Sequence, residues 1–390
     1  QNILNEKFPK DEHIISGHFK RQMETIDFLD IVTTLSENKL IDWLTEKEFT
    51  VTKLDAFISC KGVDNFEIRW WLATTESFHW IDFSLACSPE FLKKWVENPL
   101  FNKNFKFIYP QSLFEQVGIP FIPPAQREDP AIIEQVKIQA LKSPIQIEDI
   151  KGIIHAHSTW SDGVHSIEQM ALAAIEKGFE YLVISDHSKS AFYANGLQVE
   201  RIRAQHKEID LLNKKLAPFV IFKSIESDIL NDGSLDYPDE VLESFDIVIA
   251  SIHSNLKMTE EKAMMRLLNA INNPFTSILG HLTSRLLLSR KGYPVNHTAI
   301  IEACANNDVV IELNAHPRRL DMDWRFIPEA LKSDVLISIN PDAHAVEGYD
   351  DCKYGVLVAQ KAGLTAAQNL SSFSLEEMIE FVAFQQAKRN

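Results

Sequence analysis

From Lys151 onward, short apolar runs alternate with longer stretches of helical period, one pair about every 30 residues. The apolar runs predict seven strands, at 152–154, 181–185, 219–225, 246–250, 277–280, 309–313 and 335–340. Helical periodicity fills most of the intervals, at 166–177, 198–215, 259–272, 296–306 and 325–332. Strand–helix alternation of this kind is the mark of parallel β/α units. Residues 1–88 obey a different rule. Phe28–Val32, Phe66–Leu72 and Ile81–Ser84 read as strands of a small α+β unit, and Leu35–Glu48 as a helix. Pro89–Val96 and Ala131–Leu141 also read as helices. The stretch Ile119-Pro120-Phe121-Ile122-Pro123-Pro124 cannot be regular helix, because proline lacks the amide proton and restricts its predecessor. The expected division is therefore a domain at 1–124, a linker at 125–150 and a second domain at 151–390.

The residues just past each strand in the second half carry the chemistry. Strand one runs into His155 and His157, strand two into Asp186 and His187, and strand three into Glu226. Strand four leads to His253, strand five to His281 and strand seven to Asp342 and His344. Parallel β/α units closed into a barrel bring all these strand ends to one face. Residues two apart on a strand share a side, so His155 and His157 can grip one cation together, with Asp162 past a tight turn as a hard oxygen ligand.

Composition narrows the partners. The net charge is −16 over 390 residues, and neither half carries the basic excess of a protein that grips duplex nucleic acid tightly. Part of the acidity can be metal ligands. Cys60, Cys87, Cys304 and Cys352 are scattered and lack CxxC spacing, which fits reduced thiols of a cytoplasmic protein. No apolar run reaches membrane-spanning length, and no charged–apolar–small leader opens the chain.

With those residues assembled, the half from 151 to about 385 resembles the PHP (polymerase and histidinol phosphatase) family of metal-dependent phosphoesterases. The resemblance runs through HAHSTWSDG at 155–163, SDHSKS at 185–190, ESDIL at 226–230, ASIHS at 250–254, LGHLTSRLL at 279–287, IELNAHPRRLD at 311–321 and NPDAH at 340–344. It implies a distorted seven-stranded β/α barrel holding two to three divalent ions. The implied ligands are His155, His157, Asp162, His187, Glu226, His253, His281, Asp342 and His344. Glu226 would bridge two ions, with His155, His157 and Asp342 on one and His253 and His281 on the other; Asp162, His187 and His344 would hold the third. Ligands of this kind suit Zn²⁺, Mn²⁺ or Fe²⁺ better than Mg²⁺. Asp186 and Asn314 are expected to orient ligands or substrate. Phosphate clamps are sought among Lys189, Arg285, Arg290, Arg318 and Arg319, with Arg285 and Arg319 favoured because they sit in the matching segments.

The first half resembles the palm and thumb of bacterial family X DNA polymerases, in altered form. Gly17–Asp30 stands where that family has a Gly-Ser turn followed by two aspartates two apart, and GIPFIPPAQRED at 118–129 matches the lead into the barrel. Two metal-binding carboxylates must share one strand face, but Phe28 occupies the first position and only Asp30 the second. His18 replaces the serine, Glu67 is the expected third carboxylate ahead of Asp82, and the nucleotide-lining stretch is reduced to Ser84–Ser88. The expectation is an inactive nucleotidyltransferase-like domain ahead of a phosphoesterase that acts on nucleic-acid 3′ ends, as exonuclease or 3′-phosphatase. Two alternatives stand beside it: a small-molecule phosphomonoesterase of histidinol-phosphatase type, and a non-catalytic DNA- or protein-binding module with structural metals.

Overall fold

Among the residues that the computed structural model describes, 1–102 and 107–389, the strands form two sheets, one in each of two units, Gln1–Lys142 and Ser143–Asn390. The first sheet contains β1 (His13–Ser16), β2 (Phe28–Thr33), β3 (Thr50–Lys53), β4 (Ile58–Lys61) and β5 (Glu67–Leu72). Its order is β1-β2-β5-β4-β3, antiparallel except for the parallel pair β2 and β5. Helix Glu37–Glu46 buries Leu40 and Leu44 against Ile31, Ile58 and Trp70 of the sheet.

The other described elements of this unit are helices, and 81–84 lies in one of them. That segment belongs to helix Phe78–Leu85, which corrects the strand expected there. Phe78 and Asp82 are buried four residues apart, one helical turn, and a four-residue alternation is too short to outweigh that spacing. Phe83 joins Phe91, Trp95, Phe107 and Phe114 in an aromatic core. Pro89 opens helix Pro89–Val96 at the position where a missing amide proton costs nothing, and Ser88 caps it by accepting from the Phe91 amide at 3.0 Å. Within the stretch expected as linker, helix Ala131–Ile138 packs Ile133 and Val136 into the same aromatic core.

In the second unit β6 (Gly152–Ala156), β7 (Tyr181–Ile184), β8 (Val220–Asp228), β9 (Ile247–Ser251), β10 (Ile278–Leu279), β11 (Val310–Asn314) and β12 (Ile337–Asn340) run parallel in sequential order. The first and last strands meet. The His157 amide donates to the Ala343 carbonyl at 2.8 Å and the Ala343 amide to that of His155 at 3.1 Å. The sheet is thus a nearly closed seven-stranded barrel. Helices Ile167–Glu176, Val199–Leu216, Glu260–Ile271, His297–Asn306 and Ile327–Lys332 cover it, as the periodicity predicts. Cys352–Lys361 and Leu375–Ala387 add two more.

The barrel interior is layered. Ile154, Val183, Phe222, Ile249 and Val310 fill its lower end, closed by Met378 and Phe381 of the last helix. Fully burying each such side chain contributes roughly 1.5–3 kcal/mol. Above them the same strand faces turn polar, through Ser185, Ser224, Ser251, Glu312 and Asn340, all buried. The strand ends above this layer carry the histidines.

Candidate metal centre

The first strand does not deliver its histidines by plain alternation. Ile154 faces the interior, so a regular strand would send His155 outward. A register shift in β6 between Ile153 and Ala156, with His155 at φ +64°, turns its ring inward instead. Asp342, on the strand end that meets β6, also adopts a left-handed backbone, φ +52°. Positive φ at two non-glycine residues is costly and persists only where surroundings fix it.

Glu226 stands at the centre of what these bends assemble. Its Oε1 lies 2.9 Å from His281 Nε2, 3.1 Å from His253 Nε2 and 3.3 Å from His155 Nε2. Its Oε2 lies 2.9 Å from His187 Nδ1 and 3.7 Å from His157 Nε2. Asp342 Oδ1 approaches His157 Nε2 at 3.1 Å and His155 Nε2 at 3.6 Å. Nearer the mouth, Asp162 reaches His187 Nε2 at 3.7 Å, His344 Nε2 at 3.5 Å and His157 Nδ1 at 4.0 Å. All nine residues singled out in the sequence therefore lie in one cluster, with Asp162, His253 and His344 at least partly open to solvent and the others buried.

The cluster fits divalent cations by its own chemistry. Both Glu226 oxygens, His155 Nε2, His157 Nδ1, His187 Nδ1 and His281 Nε2 are buried and make no hydrogen bond. Buried polar atoms without partners are costly, and here six point into one space. Ligand atoms about 2.0–2.1 Å from a shared tetrahedral ion stand roughly 3.4 Å apart, which is the spacing between these atoms. Among the described residues three groups could each hold an ion: His157, Asp162, His187 and His344; His155, His157 and Asp342; His187, Glu226 and His253.

Behind these side chains lies a layer that fixes them, and two of its members were not singled out in the sequence. Glu312, wholly buried on β11, accepts from His155 Nδ1 at 2.6 Å, the His281 amide at 3.0 Å, Asn314 Nδ2 at 3.0 Å and Asn340 Nδ2 at 2.9 Å. Asp228 accepts from His253 Nδ1 at 3.0 Å. Each carboxylate accepts a hydrogen bond from the Nδ1–H of its histidine, which turns Nε2 of that ring towards the centre. Asp228 could have been read from its spacing, two residues beyond Glu226 on one strand face. Glu312 had no such signal, since an acidic residue inside an apolar strand has no visible partner. Asn314, besides Glu312, donates to Asp342 Oδ2 at 3.1 Å.

Other expected site residues take different positions. Asp186 is fully buried and accepts from the Ser158 amide and hydroxyl, at 2.8 and 2.7 Å, and from Gln205 at 2.6 Å. It therefore pins the loop that carries Asp162 and does not face the opening. Arg285, expected to clamp phosphate, turns its guanidinium into the wall: Nε donates to the Arg319 carbonyl at 3.0 Å, Nη1 to Asp323 at 2.8 Å and Nη2 to the Leu320 carbonyl. Arg319 faces the centre, with Nε 3.6 Å from Asp342 Oδ2 and Nη1 buried without a partner.

Charge in the cluster is mutual. Burial resists ionisation of Glu226, but the facing His253, His155 and His187 outweigh it and hold the carboxyl well below its usual range. Burial likewise opposes a proton on His155, and Glu312, Glu226 and Asp342 overcome it and raise its pKa well above the ordinary imidazole value. His157 goes the other way, down to about 3, from burial and then from His187 and His344 beside it.

No family model matches the chain. The DNA polymerase/3′-5′ exonuclease PolX of Bacillus subtilis (strain 168) is 42% identical over 272 residues, 70% of this chain and 47% of that protein. The chain thus spans about half the length of that relative, and the match is longer than the second unit, so it extends into the first. A probable phosphatase of Thermoanaerobacter sp. (strain X514) is 26% identical over 222 residues, 54% of this chain and 86% of the relative. The chain is homologous to both relatives, and its second unit fits a PHP domain. The whole chain resembles a PHP domain fused to a polymerase X-like part. Among solved structures, histidinol phosphate phosphatase from Lactococcus lactis subsp. lactis Il1403, complexed with zinc, L-histidinol and phosphate, aligns at TM-score 0.42 and 18% identity, over 55% of this chain and 94% of that one. Among the described residues no helix is long and apolar enough to cross a membrane.

In the polymerase X-like part, β2 and β5 pair Phe28 with Glu67 and Asp30 with Arg69, which puts these four on one face. The Arg69 guanidinium lies 3.3 Å from the Phe28 ring centroid and pairs with Glu67 at 2.9 Å. Asp30 is buried, accepts from Trp71 Nε1 at 2.8 Å, and has its pKa raised by burial. Gly17, at φ +60°, leaves room for it: a Cβ there would fall 2.0 Å from Asp30 Oδ2. Asp82 is engaged elsewhere, with the Ser16 hydroxyl at 2.7 Å and Lys20 at 2.5 Å.

Proposed function

We propose that the PHP domain hydrolyses phosphoesters at nucleic-acid 3′ ends, as a 3′–5′ exonuclease or 3′-phosphatase, while the polymerase X-like part is catalytically inactive. The observation that carries the reading is the set of six buried, unpartnered nitrogens and oxygens around Glu226. His155, His157, Asp162, His187, Glu226, His253, His281, Asp342 and His344 would hold two to three ions, zinc, manganese or iron by donor type. Such ions, when bound, lower the pKa of water and offset charge on a phosphate.

The chain's own residues supply the rest. Arg319 binds a phosphate oxygen through its unpartnered Nη1. Glu312 and Asp228 fix the tautomers of His155 and His253, Asn314 orients Asp342, and Asp186 holds the loop of Asp162 in place. Nucleic acid as substrate is supported by the 42% identity to a relative named as a polymerase and exonuclease. A small phosphomonoester is the second reading, favoured by relatives named probable phosphatases that match over 86% of their length.

One activity panel separates them. Mn²⁺-supplemented protein is offered single-stranded DNA, the same strand ending in a 3′ phosphate, and small phosphomonoesters. Release of nucleotides or of terminal phosphate supports the proposal. Turnover of small phosphomonoesters alone replaces it with the second reading, and no turnover with full metal content removes both.

A further inference from the structure

One exposed aromatic side chain borders the candidate metal centre, and a second stands beside it on the same turn. Phe192 and Tyr193 are 83% and 73% exposed and share one short turn, Phe192–Ala194, just beyond the loop of His187. The Tyr193 ring centroid is 6.3 Å from that of His187. Burying a ring of this size is worth roughly 1.5–3 kcal/mol, so two adjacent rings left in water forgo an appreciable gain.

The turn that carries them is held on both sides. Ala191, Ala194 and Leu197 are buried around it. Asn195, at φ +54°, donates from Nδ2 to the Trp160 and Ser161 carbonyls at 3.3 and 3.4 Å, and its own carbonyl accepts from Arg201 Nη1 at 2.8 Å. Gly196 is so close to Ser188 that a Cβ would fall 1.9 Å from that carbonyl oxygen. Rings presented on a fixed turn lose little freedom on binding.

Charge indicates what the rings take. A chain of net charge −16 gains little by neutralising a phosphate backbone, so a nucleic-acid strand must be held at its phosphate by the metal centre and at its bases by stacking. We propose that Phe192 and Tyr193 are a stacking platform for the terminal nucleobases of a single strand whose phosphate lies at the metal ligands. The platform makes the site specific for a base-bearing end. This rests on the nucleic-acid reading above.

The test compares steady-state kinetics on a ten-residue oligothymidylate with kinetics on the same strand ending in abasic sites, in Mn²⁺. Glycerol 3-phosphate serves as the substrate without a ring. Wild type should favour the base-bearing strand through KM, and Phe192→Ala and Tyr193→Ala should each raise that KM by roughly 5- to 150-fold, the range of one lost base stack. KM on the abasic strand should move little, so discrimination collapses, and Phe192→Trp should restore it. Equal loss on all three substrates would make the effect one on the metal centre and overturn the platform. Strand cleavage with no dependence on either ring would overturn the platform and leave the function standing. Glycerol 3-phosphate turnover without any strand cleavage would remove both.

Discussion

Glu312 divides two oxygens among four donors and touches none of the solvent-facing space. Its effect on a bound cation would pass through His155: the carboxylate accepts from Nδ1–H and so holds Nε2 towards the centre. Removing such a partner typically weakens metal binding 10- to 100-fold. Glu312→Gln keeps the volume and loses the charge, so chelator competition should show weaker binding of that order with the far-ultraviolet circular dichroism of wild type. Unaltered affinity would mean that His155 needs no anchor. Glu226→Gln should act differently. One residue faces five histidine nitrogens with two unpartnered oxygens, so its loss should remove more than one ion per chain by elemental analysis. A drop of a single ion, with the rest retained, would argue against its bridging role.

At the scale of elements, helix Val199–Leu216 offers a test that involves no ligand. His206 sits with its ring edge-on to Phe245, centroids 5.0 Å apart, and its Nε2 is buried without a partner. Burial, then Lys223, lowers its pKa to about 4, against the pull of Asp210. The folded value lies below the unfolded one of about 6.5, so the unfolded chain binds the proton first. Stability is therefore fully present above pH 6.5 and is lost as pH falls towards 4, by on the order of 1–2 kcal/mol once solvent screening is allowed for. Urea midpoints at pH 7.5 and 5.0 should differ less in His206→Leu than in wild type; equal differences would show that His206 does not titrate on unfolding. Environment also decides which elements can be read from sequence. The barrel strands are buried on both faces and read as plain apolar runs, so all seven fall close to their predicted places. β3, Thr50–Lys53, is largely exposed and carries no such signal. The clustered histidines at the strand ends were legible because histidine there has few structural uses, whereas the bend that aims His155 is a backbone conformation that no residue type announces.

For the molecule as a whole, the question is whether two units carry one activity or two. A polymerase centre needs carboxylates free to share a metal ion. Here the side chain at the first position is Phe28, and the Arg69 guanidinium is stacked against it while pairing with Glu67. One Asp30 oxygen accepts from Trp71 Nε1 and the other lies packed against Gly17. A fixed internal cation thus stands beside the carboxylates where a divalent ion would have to compete with it, and a fold outlasts its chemistry readily. Primer–template with all four nucleotides and Mn²⁺ should therefore give no extension. Asp30→Ala should leave phosphoester hydrolysis intact while lowering the thermal midpoint, because the Trp71 indole loses its buried acceptor, a loss of about 1–3 kcal/mol. His253→Ala should do the reverse, abolishing hydrolysis and sparing the midpoint of the first unit. Template-directed extension by wild type that disappears in Asp30→Ala would show that Asp30 still serves a metal site and that the first unit is a second enzyme. Extension that survives Asp30→Ala but not His253→Ala would place both reactions in the barrel.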